Sequence, residues 1–181
     1  MHYSFESEEK ARTMLMNVSK NLRRGGYFIG TIPSSDAIIE GIKSLPDDSK
    51  EFGNSVYKVR FPERPTETVF RPPYGHRYNF YMEDAVENVP EYIVPFEVFR
   101  GYISPVDGRA NGSLAEDANL EMVYRRSFHE IYQDEKDDDE FGRLMDRMGV
   151  KDEDGVRGIK GEEWEAAGLY LAFAFEKRGG Y

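Results

Sequence analysis

RRGGYFIGTIPSSD, residues 23–36, decides how the fold is read. Two arginines and two glycines end whatever precedes them. YFIGTIP is then a short, nearly continuous apolar run, which reads as a buried strand. Pro33 closes it, and Ser34 or Ser35 is placed to cap a second helix, over roughly 36–45. Upstream, Ala11, Leu15, Val18 and Leu22 recur at helical spacing with Met14 beside them. Ser7 is a natural N-cap for that first helix, Glu8 and Glu9 suit its first turn, and Lys20, Arg23 and Arg24 suit its last. Helix, Gly-Gly, strand and proline loop form the second half of a βαβ unit. In open parallel sheets, ligands gather outside the carboxyl ends of strands, and TIPSSD sits at such an end.

Working outward, 55–61 (SVYKVRF) alternates with period two and reads as a strand. The Pro- and Arg-rich stretch 62–73 reads as a loop, and 77–82 (RYNFYM) as another strand. VENVPEYIVPFEVFR is broken at two prolines, with a helix expected from Pro95 to Arg100. LEMVYRRSF (120–128) reads as a strand. From His129 to Gly149 a helix with an acidic interruption is expected, and 161–180 joins a short helix to a strand. The expectation is an α/β chain with a mixed sheet, its second-half strands antiparallel, in one domain without internal repeats.

The chain has 181 residues, 39% of them hydrophobic, which suits one core. It has no cysteine, which excludes disulfides, thiolate chemistry and Cys-ligated zinc. His2, His76 and His129 lack ligand-like spacing, so no metal site is expected. No apolar run approaches the ~20 residues that cross a bilayer, and no cleavable signal is visible. A soluble intracellular protein without membrane partners is expected. The net charge of −10 argues against a wide footprint on nucleic-acid backbone, because such binding neutralises phosphates. Any nucleic-acid partner is then gripped at a small spot, or by basic residues outside this chain. The acidic run 134–140 (DEKDDDE) reads as a solvated loop or helix end. Aromatic residues make up 14%, a weak pointer to ring-lined pockets.

Four pieces carry a resemblance: HYSFES (2–7), GGYFIGTIPSS (25–35), VPEYIV (89–94) and EWEAAGLYLAFAFEK (163–177). Together they resemble the eukaryotic mRNA cap guanine-N7 methyltransferases, over residues 1–100 and 114–178. The resemblance implies the C-terminal part of a Rossmann-like class I methyltransferase. It implies S-adenosylmethionine as methyl donor, a capped mRNA 5′ end as substrate, other capping or transcription machinery as partners, and the nucleus as location. His2 then matches a residue at the cap guanine, Pro33 borders the guanine pocket, Glu91 reads the guanine edge and Tyr170 walls the pocket. Tyr3 matches a residue beside the methyl donor. Taken alone, Glu91 reads as an exposed loop acid, Tyr170 as a strand core residue and Pro33 as a strand stop. His2 alone reads as a frayed terminus and Tyr3 as a core anchor.

The implied chemistry is coherent. N7 of guanine carries a lone pair and no proton, so no general base is needed. Catalysis then rests on alignment and preorganised electrostatics. A carboxylate suits guanine, whose N1–H and N2–H₂ are donors. Two departures from the family stand out. No Gly-rich donor loop follows a strand here: the glycines of GGYFIG precede one. The 1–181 domain is therefore expected to be N-terminally incomplete and inactive alone, with YFIGTI left as an unpaired apolar edge. Residues 101–113 (GYISPVDGRANGS) read as an insertion or unspliced segment, because without them Phe96, Phe99 and Leu114 continue one helical stripe. A second reading of the same residues is a non-catalytic remnant that binds guanine caps or a protein partner.

Overall fold

A computed structural model describes residues 2–100, 114–152 and 154–179. A 3-10 helix, His2–Glu6, leads into helix α1, Glu8–Asn21. The Ser7 hydroxyl caps α1 by accepting from the Lys10 backbone N–H at 3.3 Å. Ala11 and Leu15 are buried, with Met14, Val18 and Leu22 packed beside them, so the apolar stripe is the buried face. The helix stops at Asn21, where Leu22 turns extended. Gly25 then takes a left-handed conformation (φ 70°) that a side chain would resist.

Strand β1, Tyr27–Pro33, follows, and Ser34 caps helix α2, Ser35–Lys43. Next come β2 (Glu51–Gly53), β3 (Tyr57–Arg60), β4 (His76–Met82) and β5 (Val86–Ile93). Helices α3 (Phe96–Arg100) and α4 (Leu114–Asp117) pack against each other. Strand β6 (Leu120–Ser127) precedes α5 (Phe128–Glu135) and α6 (Asp139–Met148). Helix α7 (Gly161–Ala167) and strand β7 (Tyr170–Lys177) complete the order. Among the described residues no helix is long and apolar enough to cross a membrane.

The α/β composition and the antiparallel pairing of the second half are both present. Two features depart from expectation. The strands divide into two sheets rather than one mixed sheet, in the orders β1-β7-β6 and β2-β3-β4-β5, with every ladder antiparallel. And β5 runs straight through Pro90, where the sequence predicts a break. β5 is the outer strand of its sheet, so the missing N–H of Pro90 can face away from the ladder without loss. The acidic run separates α5 from α6, and Asp138 caps α6 by accepting from the N–H groups of Glu140 and Phe141.

Two apolar cores result. The first joins α1, α3, α4 and the three-stranded sheet around a set of rings: Phe5 meets Phe99 at 5.6 Å, and Phe99 meets Phe173 at 5.3 Å and Phe175 at 5.4 Å, all edge to face. Such pairs add about 0.5–1.5 kcal/mol each beyond their area burial. Phe96, Phe99 and Leu114 all lie in this core, on two separate helices. The insertion itself, 101–113, lies outside the described residues. The second core joins Ile38 and Ile42 of α2 to Val59, Tyr78, Phe80 and Leu169 under the four-stranded sheet. Ile93 and Val94, adjacent in sequence, fall in different cores and tie the two together.

Strand β1 pairs only with β7 among the described residues, and Ile29 is 72% exposed. An apolar strand with a bare edge invites pairing with another chain. The substitution Ile29→Lys is expected to lower self-association at high protein concentration while leaving the thermal midpoint unchanged. Sedimentation of the two proteins checks this, and equal association would count against the edge.

Candidate functional site

The register of β4 on β5 sets Tyr78 opposite Glu91. Both point to the inner face of their sheet, as the alternating burial of the strands requires. Tyr78 is 1% exposed and Glu91 is 8% exposed. The Tyr78 hydroxyl donates to Glu91 Oε2 in a short hydrogen bond. Among the described residues no donor reaches Oε1. Burial, followed by the charge of Glu91, pushes the Tyr78 phenol well above its ordinary pKa, so it stays protonated and donating at neutral pH.

The register of β1 on β7 sets Pro33 opposite Tyr170. The Ser34 N–H donates to Leu169 O at 2.7 Å and fixes the TIPSS turn there. Residues from opposite ends of the sequence thus become neighbours through one ladder. Tyr170 is half-buried, with Phe80 edge-on at 6.1 Å and Phe128 at 5.7 Å. Its phenol is also raised, by burial first and by Glu91 second, which places the carboxylate within electrostatic reach of that ring. Pro33, Glu91 and Tyr170 therefore belong to one constellation, with the rings of Tyr78, Phe80 and Phe128 around them.

The opening 3-10 helix packs on β5, the strand that carries Glu91, and Gly75 N–H donates to Phe5 O at 3.1 Å. Phe5 is the core anchor of this turn, fully buried, whereas Tyr3 is 58% exposed. The side chain of His2 lies outside the described residues. The readings taken residue by residue divide accordingly. Glu91 is not an exposed loop acid but a buried strand residue, and Tyr3 is not a core anchor. His129 is structural: its ring stacks on Trp164 at 3.9 Å and its Nε2 lies 2.6 Å from Trp164 O. His76 rests against Phe70 at 4.9 Å.

Sequence reasoning missed Tyr78, Phe80 and Phe128. A strand over RYNFYM puts Tyr78 and Phe80 on one face. Only the β4–β5 register, which depends on a hairpin distant from any motif, shows that this face meets Glu91. A cavity of 570 Å³ lies elsewhere, between α2, the β2–β3 hairpin and α7. Tyr57 and Glu165 line it, joined by a 3.1 Å hydrogen bond.

The raised phenols have a consequence for stability. The folded chain holds the protons of Tyr78 and Tyr170 at pH values where the unfolded chain releases them, from about pH 10 upward. The stability they contribute is complete below that pH and is lost as pH rises toward the folded-state values. Urea midpoints measured at about pH 8 and pH 11 are expected to fall less steeply with pH in Tyr78→Phe than in the native chain. At neutral pH the same variant is expected to lose about 1–3 kcal/mol, because both Glu91 oxygens are then without a donor. Identical pH slopes would show that Tyr78 does not carry the effect.

Three comparisons place the chain. The mRNA (guanine-N(7))-methyltransferase domain family model matches residues 1–178. An mRNA cap guanine-N(7) methyltransferase of Schizosaccharomyces pombe is 57% identical over 179 residues, covering 99% of this chain and 46% of that protein. One from Cryptococcus neoformans is 49% identical, covering 98% of this chain and 26% of its own. One from Meyerozyma guilliermondii is 48% identical, covering 99% and 30%. The chain thus spans less than half the length of these curated relatives. Among solved structures, a CcbJ methyltransferase from Streptomyces caelestis aligns at TM-score 0.38 and 12% identity, covering 98% of this chain and 58% of that one. That likeness is too slight to bear on the fold. The family match over nearly the whole length, and identities near one half, show that the chain belongs to the mRNA (guanine-N7)-methyltransferase family.

Proposed function

We propose that this chain supplies the guanine pocket of an enzyme that transfers a methyl group from S-adenosylmethionine to N7 of the mRNA cap guanine. The observation that carries the reading is the Glu91 carboxylate. One oxygen is held by the Tyr78 hydroxyl, and the other faces no donor among the described residues. Guanine presents two adjacent donors, N1–H and N2–H₂, to such a group. Adenine presents an acceptor at N1 and is repelled by it. Tyr170 stands as a ring against which the base stacks, and Pro33 closes the same corner from β1. His2 and Tyr3, on the turn packed against β5, are assigned to the cap and donor sides respectively.

The chain's own residues have one task in this reaction. N7 already carries a lone pair, so no side chain removes a proton from it. Glu91 and Tyr170 hold the base so that N7 points out of the pocket, and fixing that orientation lowers the entropy cost of the transfer. Tyr78 fixes the carboxylate and is a positioning residue.

The residues described do not form a cradle for the methyl donor. The glycines of GGYFIG have structural uses. Gly25 makes the turn between α1 and β1, and a Cβ on Gly30 would lie 2.8 Å from the Phe173 ring. Tyr3 alone, largely exposed, does not make a donor site. Guanine recognition is therefore assigned to this chain and donor binding is not. The chain acts on the capped 5′ end of mRNA alongside other capping or transcription machinery, and the reaction places it in the nucleus.

Titration with GpppG and ApppA tests the pocket. Guanine is expected to bind more tightly, and Glu91→Gln to lose about 10–100-fold for GpppG, the usual worth of hydrogen bonds to a charged group. Equal affinity for the two dinucleotides, or an unchanged Glu91→Gln, would remove the basis of the reading. Incubation with capped RNA and labelled S-adenosylmethionine tests the division of labour. Cap binding without transfer is expected of this chain alone, and robust N7 methylation would show a donor site within it.

A further inference from the structure

The four-stranded sheet has a second face, turned away from Glu91. The register pairs Lys58 with Tyr81 and Arg60 with Asn79, and opposed residues share a face. Arg77 lies two positions before Asn79 and so falls on the same face. Lys58, Arg60 and Arg77 are exposed, and Lys58, Arg60, Asn79, Tyr81 and Asn88 together line a depression of 290 Å³. Arg60 is paired with Glu51 across the ladder. Lys58 and Arg77 have no ion-pair partner among the described residues. Neither β3 nor β4 contains an acidic residue, in a chain whose acids outnumber its Lys and Arg by 34 to 24. The acids of this region sit at its margins: Glu51 in its ion pair, Glu83 and Asp84 in the β4–β5 turn, and Glu87 at the start of the outer strand β5.

We propose that this face binds the RNA that follows the cap, with Lys58 and Arg77 on its phosphates and Tyr81 under one of its bases. The choice of RNA rests on the guanine-pocket reading. Cations alone would suit any acidic partner. Cations interleaved with a half-buried tyrosine and two amides suit a single strand, which offers phosphates, ring faces and base edges together. The position agrees. Pro90, the neighbour of Glu91 in sequence, sits opposite Asn79. β5 is the outer strand of the sheet, so a strand leaving the pocket rounds one edge to reach this face. Arg77 is then one strand spacing away and Lys58 two, about 5 and 10 Å. A small basic face also reconciles RNA binding with a net charge of −10.

The test uses three ligands: GpppG, an uncapped RNA of about 12 nucleotides, and the same RNA capped. The double variant Lys58→Glu/Arg77→Glu is expected to lose at least tenfold affinity for both RNAs and none for GpppG. The slope of log affinity against log salt is expected to shrink by about 1.4, near 0.7 for each phosphate contact removed. Both changed residues are exposed, and an unchanged thermal midpoint confirms that the variant is folded. Tyr81→Ala, which alters no charge, is expected to weaken both RNAs with the salt slope intact. RNA affinity unchanged in the double variant, or no RNA binding by the native chain, would overturn the proposal. So would polyglutamate binding in place of RNA, which would assign the face to an acidic protein. Loss of GpppG binding with RNA binding retained would instead overturn the guanine pocket and leave this face standing.

Discussion

The pocket depends on the alternation of β7. Leu171, Phe173 and Phe175 point to one side, into the ring cluster built with Phe5, Phe96 and Phe99. Tyr170 begins the same strand one residue out of phase and packs with the second core. A shift of one residue in this strand would turn three buried side chains to solvent and Tyr170 away from Glu91. Full burial of each such side chain is worth roughly 1.5–3 kcal/mol, so the first core holds the register firmly. The position of Tyr170, the proposed ring wall, is thereby fixed by side chains of the other core. Gly30 is part of the same constraint, since the Phe173 ring lies against it where any larger residue would collide.

The second constraint is the burial of Glu91. Removing a carboxylate from water costs several kcal/mol unless hydrogen bonds replace the lost hydration. Tyr78 replaces part of it at one oxygen. On the proposed reading, a ligand with a correctly placed donor would complete the hydrogen bonding at the other oxygen. Selectivity for guanine would follow from the same arithmetic, because a base with an acceptor in that place leaves the oxygen without a donor and adds repulsion. Asymmetry of this kind gives stronger discrimination than shape alone. The raised phenols of Tyr78 and Tyr170 belong to the same environment: both rings face a negative charge in a poorly hydrated place, and both therefore remain neutral.

Short-range rules make most elements legible in the order of residues alone. The stripe of α1, the caps at Ser7 and Ser34, the alternation of β3 and β6, and the strands β4 and β7 all follow from them. What stays hidden is non-local or too brief to carry a period. β2 has three residues and no pattern. β5 is hidden by Pro90, whose tolerance depends on the strand being at an edge. The separation into two sheets depends on which strand pairs with which, and residue order does not encode that directly. The site divides along the same line. Glu91, Tyr170 and Pro33 are legible through motif resemblance, and the fold brings them together. Tyr78 and Phe80 are not, since their role follows from a register and not from a motif. Tyr3 and Phe5 show the limit of composition: both are aromatic, two residues apart, and only packing tells the anchor from the exposed ring.

Charge presents the remaining physical question, since an acidic chain of this kind is assigned an anionic substrate. Long-range repulsion at ionic strengths near 0.15 M decays over about 8 Å, so distant carboxylates matter little to a phosphate held at contact. What matters is the local field, and the acids are distributed accordingly. Many are committed to exposed ion pairs with basic partners, as Asp117 is with Arg12, Asp146 with Arg157 and Glu121 with Arg178. Others cap helices, as Asp138 does. The two strands that carry Lys58 and Tyr78 hold none. Beside them one buried carboxylate remains, Glu91, where a negative charge is what a guanine edge requires. The net charge of the chain therefore describes its solvated surface, whereas the substrate would meet a single acid on the inner side of one sheet and uncompensated cations on the outer side.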